Sequence, residues 1–209
     1  MEGGESMKGI LFKPQLIPLV LSGRKTMTRR VVKPQPMSIV ENKSVPYNGS
    51  AEFLLTKLKC PYGIPGDKSY VRETHYRFGH WRKNGFTKAG KQKYNFIADG
   101  EDVLFNCPKE WIRIKKNEKG WFKRPSIFMP RWASRLTLEI VSVRVERLQE
   151  ITEEDARKEG AVGEHCDGLK VTSYRWWFER LWDSINKDYP WSSNPWVFVY
   201  EWEVKDVAR

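Results

Sequence analysis

Cysteine is scarce in this sequence: Cys60, Cys107 and Cys166 are all there are in 209 residues. Three scattered thiols cannot build a disulfide framework, and none falls in a CxxC or Cys/His pair at zinc-ligand spacing. A reducing, cytoplasmic setting is the expectation. Histidine is equally sparse, with His75, His80 and His165, and no carboxylate or thiol completes a ligand set around them, so neither a metal nor a cofactor is expected. No apolar run approaches the ~20 residues of a membrane span. The opening MEGGES lacks the basic and apolar regions of a signal peptide, and Met7 is a candidate natural start. Acidic residues are in deficit as well: 26 Asp and Glu stand against 37 Lys and Arg, a formal charge of +11. That imbalance favours a polyanionic or nucleotide-like partner, whether RNA, DNA or a modified nucleoside.

What is present points to one α+β domain. A chain of this length buries a sizeable core without staples. Ile10 to Phe12 reads as a strand, and Leu16, Ile17, Val20 and Leu21 as a short helix after Pro14. Gly23 is placed to close that helix in the left-handed conformation, and Gly23 to Val32 then reads as a strand stopped by Lys33-Pro34. Residues 37–59 are polar and aperiodic, an expected insertion. Tyr70 to Tyr76 has strand bias after the turn cluster Gly63 to Asp67. Residues 79–120, rich in Lys, Gly and Asn, read as a second, basic insertion with one or two hairpins. Arg135 to Leu148 alternates as a long strand. Thr152 with Asp155 opens a capped helix running to Glu159, with Gly160 as its stop. Tyr174 to Ile185 carries Trp177, Phe178, Leu181 and Trp182 at helical spacing, the pattern of a core-facing stripe. Pro195 to Val204 closes the chain as a strand.

The densest chemistry lies in Gly23-Arg24-Lys25-Thr26-Met27-Thr28-Arg29-Arg30, where four cations and two hydroxyls share a helix-to-strand junction. This wording resembles the signature of the ASCH family, and the likeness continues through PGDKSYVRET (65–74), MPRWASRLTLEI (129–140), ITEEDARKEGA (151–161) and NPWVFVYEWEV (194–204). The order of these stretches is most similar to the longer ASCH proteins of bacteriophage and prophage genomes. The resemblance implies a PUA-like mixed β-barrel with flanking helices over a cleft lined by the motif's lysine, threonine and arginine. Small members of the family hydrolyse N4-acetylcytidine with a Lys, a Thr and a Glu; others are regarded as RNA-binding modules, and some are connected with RNA cleavage.

Carried onto this chain, the resemblance assigns the lysine to Lys25, the threonine to Thr28 and the glutamate to Glu159, with Glu153 or Glu154 a helical turn away and Glu73 as a further acidic alternative. Thr28 would be the nucleophile, Lys25 its base, and Glu159 the proton shuttle to the leaving amine. Crowding by Arg24, Arg29 and Arg30 together with desolvation would lower the Lys25 pKa. In a regular strand residues 25 and 28 face opposite ways, so a shared cleft requires Lys25 to sit in a turn before the pleat begins. As a binding module the protein would instead use Arg24, Lys25, Thr26, Arg29, Arg30, Arg72, Glu73 and Arg131 for polar contacts, with Tyr70 and Trp132 as stacking faces. A ribonuclease would need a general acid and base beside a phosphate, which Lys and Glu can supply. A phage interaction protein would expose Trp191 and Trp196 to a partner.

Overall fold

The computed structural model of the protein describes residues 7–35, 58, 60–116, 118–161 and 173–207. The insertion expected at residues 37–59 therefore lies almost wholly outside the described residues, as do His165 and Cys166.

Two sheets carry the α+β fold. In the first, β1 (Lys8–Leu11) runs parallel to β3 (Lys68–Arg72). The next strands, β7 (Leu136–Arg147), β8 (Trp196–Val207) and β2 (Met27–Val31), continue antiparallel to give the order β1-β3-β7-β8-β2. The second sheet holds β4 (His75–Phe86) between β5 (Gln92–Leu104) and β6 (Gly120–Arg124), all antiparallel. Helices are few: α1 (Ile17–Leu21), α2 (Glu153–Lys158) and α3 (Tyr174–Ile185), beside short 3-10 turns.

The apolar run WVFVY of β8 is buried on both faces, and the strand's period of two deals its side chains to two separate cores. Phe198, Tyr200 and Trp202 join Ile10, Val20, Val71, Leu136 and Leu138 on one side. On the other, Val197 and Val199 pack with Met27, Leu148, Ala156, Phe178 and Trp182 under α2 and α3. The stripe on α3 thus seals the second core, with Trp176 left 43% exposed on its outer face. The register slips between Ile140 and Ser142, so that Val141 turns outward and Val143 returns to the first core, which is how one long strand serves the sheet without an unbroken alternation.

Three expectations need correction. A closed barrel was expected, but among the described residues the five-stranded sheet is open, with β1 and β2 as its edges. Both edges are short, and Pro14 and Pro34 follow each within three residues, removing the N–H groups that a closing ladder needs. The edges are joined instead by a side chain: Arg30 donates to the Leu11 carbonyl at 2.6 Å. Secondly, the strand expected from Gly23 starts only at Met27. The Lys25 N–H is committed to the Leu19 carbonyl at 2.9 Å and the Thr26 N–H to Lys158 at 2.9 Å, so both backbones belong to the turn that Gly23 (φ +69°) begins. Thirdly, the hairpin region is larger than residues 79–120, because its sheet begins at His75 and ends at Arg124. Among the described residues no helix is long and apolar enough to cross a membrane.

Candidate active-site cleft

β2 is an edge strand, so side chains from both of its faces reach the space beside it. Thr28 and Arg30 from one face, Arg29 from the other, and Lys25 from the preceding turn all line a cleft of about 560 Å³. Glu159 reaches the same cleft from the C-terminal end of α2. Thr152 Oγ1 caps the start of that helix by accepting the Asp155 N–H at 3.1 Å, and Gly160 (φ +91°) ends it immediately after Glu159. The requirement that Lys25 precede the pleat is met by the Gly23 turn.

The Lys25 ammonium is 1% exposed. An ammonium has three protons to give, and here the Met27 carbonyl, the Glu159 carbonyl and Glu159 Oε2 each accept one at 2.7 Å. The rings of Phe12 and Trp202 lie 5.8 and 5.9 Å from the nitrogen. Burial pushes the Lys25 pKa below the ordinary lysine value, Glu159 opposes that shift, and Arg30 and Arg29 add to it. The direction agrees with the sequence reading, but desolvation is the leading cause rather than arginine crowding, and Arg24 has no part in it.

Arg29 is buried too and fixes the other oxygen of Glu159. Its guanidinium reaches Glu159 Oε1 at 3.4 Å, donates to Asp155 Oδ2 at 2.7 Å, and holds Glu146 Oε1 through Nε at 3.0 Å. Arg144 bonds the second oxygen of Glu146 at 2.9 Å and shares Asp155 Oδ2 at 2.7 Å. Three cations and three carboxylates thus alternate in one network. Removing one partner of such a buried set typically destabilises by about 3–5 kcal/mol, because the remaining charge stays desolvated. Thr28 is 5% exposed, pairs across the ladder with Tyr200, and among the described residues its hydroxyl has no hydrogen-bond partner. Arg30 also lines the cleft, and its Nε is buried with no hydrogen-bond partner among the described residues. Phe12, Tyr62, Phe178, Trp182 and Tyr189 supply aromatic walls.

Other residues singled out from the sequence lie elsewhere. Arg24 is exposed in the Gly23 turn, and Thr26 contributes only its backbone, accepting the Trp202 N–H at 3.0 Å. Tyr70 is 7% exposed and no stacking face: its hydroxyl accepts from Arg72 at 2.7 Å on β3, beneath the Gly9 backbone. Glu73 is clamped by Arg135 at 2.8 and 3.0 Å. Glu153 caps α3 by accepting the Tyr174 N–H at 2.7 Å, and Glu154 is exposed. Of the acidic alternatives, Glu159 alone lines the cleft. Arg131 and Trp132 stand exposed on a 3-10 turn outside its lining. Trp191 packs on Phe178, and Trp196 lies under Arg147 at 4.4 Å, so neither forms the free patch expected of a partner surface. His75 is buried against the Glu73 carbonyl at 3.1 Å, and no metal-ligand cluster occurs among the described residues.

The sequence reading missed Glu146 and Asp155, the partners of Arg29, and Arg144, which bonds both of those carboxylates. Asp155 was read only as a capping residue and Glu146 only as a polar position in β7. The sole available signal was the excess of charge inside strands that are otherwise apolar.

Fold and site together define a β-rich α+β protein with a buried lysine–glutamate pair at the edge of a sheet. No family model matches the chain, and no curated protein matches it. Among solved structures it is similar to protein EF3133 of Enterococcus faecalis V583, described as a DUF984 protein, at 12% identity over 96% of this chain and 82% of that one. The TM-score of 0.39 leaves that likeness without weight for fold or function.

Proposed function

We propose that the cleft binds a nucleoside and hydrolyses an N4-acyl group from it, converting N4-acetylcytidine to cytidine and acetate. One observation carries the reading: Lys25 and Glu159, 134 residues apart, share a single aromatic-walled cleft with Thr28, whose hydroxyl is not engaged elsewhere among the described residues. The resemblance of Gly23 to Arg30 to the ASCH signature, and with it a PUA-like description of the five-stranded sheet, supports the same reading.

In this scheme one Lys25 proton first shifts to Glu159 Oε2, with which it already shares a 2.7 Å hydrogen bond, and Thr28 Oγ1 then adds to the acetyl carbonyl carbon as its own proton passes to the Lys25 amine. The oxyanion faces the Arg30 guanidinium on the cleft wall. Collapse breaks the bond between the carbonyl carbon and N4, and the proton held by Lys25 reaches N4 across Glu159. Water then cleaves the Thr28 ester, releasing acetate and restoring the hydroxyl. Phe12, Tyr62 and Tyr189 provide apolar faces for the base.

Incubation of the purified protein with N4-acetylcytidine, followed by chromatography, tests this directly. Cytidine should form, turnover should disappear in Thr28→Val, and Thr28→Ser should restore part of it. A correctly folded wild-type protein that releases no cytidine would overturn the proposal.

A further inference from the structure

The second sheet raises a separate question, because the basic excess of the chain is concentrated there. Residues 75–131 contain 14 Lys and Arg against five Asp and Glu, a net +9 of the chain's +11. One face of this sheet is aromatic. Trp81 pairs across the ladder with Phe96 and Arg77 with Phe122, so these side chains share a side. Trp81, Phe96 and Phe122 form an edge-to-face trio with centroids 5.4 to 6.1 Å apart. Gly79 makes room for it, since a Cβ there would lie 2.8 Å from the Phe96 ring and 2.2 Å from the Ile97 carbonyl.

Two guanidinia sit on this face. Arg124 lies 5.0, 4.4 and 4.8 Å from the ring centres of Trp81, Phe96 and Phe128. Arg77 covers Trp132 at 4.9 Å, donates to the Gly100 carbonyl at 2.6 Å, and has its Nε buried without a partner among the described residues. Neither makes a salt bridge to a carboxylate among the described residues. Burial and the charge of Arg77 both weaken the hold of Arg124 on its proton, which is the signature of like charges held together without a counter-ion. Beside them Phe128 and Trp132 are 60% and 53% exposed. Uncompensated guanidinia next to open aromatic rings suit a phosphate bearing an unpaired base, and they suit a duplex poorly, since its bases are already stacked.

We propose that this face of the β4-β5-β6 sheet, centred on Arg77, Arg124, Phe128 and Trp132, is a docking site for single-stranded polynucleotide. Arg77 and Arg124 bind adjacent phosphates and the two exposed rings stack bases. The site shares no residue with the Lys25 cleft and stands independently of the cleft's chemistry.

The test is fluorescence anisotropy with a labelled single-stranded RNA of about 15 nucleotides, titrated at several salt concentrations beside a duplex of the same sequence. The expected result has four parts. Binding is tighter to the single strand. Affinity falls about tenfold in Trp132→Ala, as loss of one stacked base would give. It falls further in Arg77→Gln/Arg124→Gln, with the slope of log affinity on log salt reduced by about 1.4 for two lost phosphate contacts. Affinity is unchanged in Thr28→Val. Unaltered binding in the double arginine variant, with its circular dichroism intact, would overturn the proposal. So would equal binding of duplex and single strand that ignores Trp132→Ala, a half-exposed position outside the sheet's aromatic trio.

Discussion

The Lys25 cleft and the β4-β5-β6 sheet are built from the same kinds of residue, cations and aromatic rings, and use them in opposite ways. Around Lys25 the two most deeply buried cations have carboxylates, Glu159 for Lys25, and Glu159, Asp155 and Glu146 for Arg29, and only the half-buried Arg30 rests on rings, those of Phe12 and Tyr62, without one among the described residues. On the second sheet Arg77 and Arg124 rest on rings with no carboxylate partner among the described residues. In the first region most of the charge is consumed internally, fixing the positions of Lys25, Arg29 and Glu159. In the second it remains available to an outside anion. Net charge alone cannot distinguish these uses; the placement of a few carboxylates does.

The contrast can be broken most sharply at Glu159. Glu159→Ala leaves Lys25 and part of Arg29 buried without a counter-charge, and urea unfolding should show a loss of about 3–5 kcal/mol. Adding Lys25→Met in the same chain should recover much of that loss, whereas a purely additive result would deny the coupling. Phe122→Ala, at the centre of the second sheet's aromatic trio, should cost about 3–5 kcal/mol through the cavity it leaves, with hydrogen exchange rising in β4 to β6 before it rises in β7 and β8.

A smaller effect is expected from Glu153→Ala, which removes the carboxylate cap of α3 and should cost about 1 kcal/mol. His75 gives a pH-dependent effect. Burial holds its folded-state pKa below the ordinary 6.5, so the unfolded chain binds the extra proton first. Stability should therefore fall as pH drops from 6.5 toward the folded value and flatten below it. His75→Gln should remove that slope, and an unchanged profile would place the acid sensitivity elsewhere. Least of all, Arg24→Ala should change stability by no more than about 0.5 kcal/mol and leave cytidine release as it was, separating the exposed cation of the motif from its buried neighbours.

Much of the architecture was legible. The alternation of β7, the Thr152 cap, the Gly160 stop and the bounds of α3 were readable because each depends on local periodicity or on a single backbone conformation. Lys25 and Thr28 were legible through resemblance to a family motif. Glu159 was assigned through the same resemblance with Glu153, Glu154 and Glu73 left as alternatives, since all four are carboxylates near helices or strands and only long-range packing brings Glu159 alone of them to the cleft. Tyr70 misled for a related reason: an aromatic beside Arg72 can stack on a base or pack on its neighbour, and the parallel pairing of β3 with β1 decided for packing.

By itself the sequence determined the segments, their caps and stops, the basic excess and the motif that sets Lys25 and Thr28 three positions apart. Tertiary structure alone decided that β2 would be an edge strand, so that residues from its two faces meet beside it. It also decided which cations would find carboxylates. Those outcomes rest on pairings between strands distant in the chain, whose register no local pattern encodes.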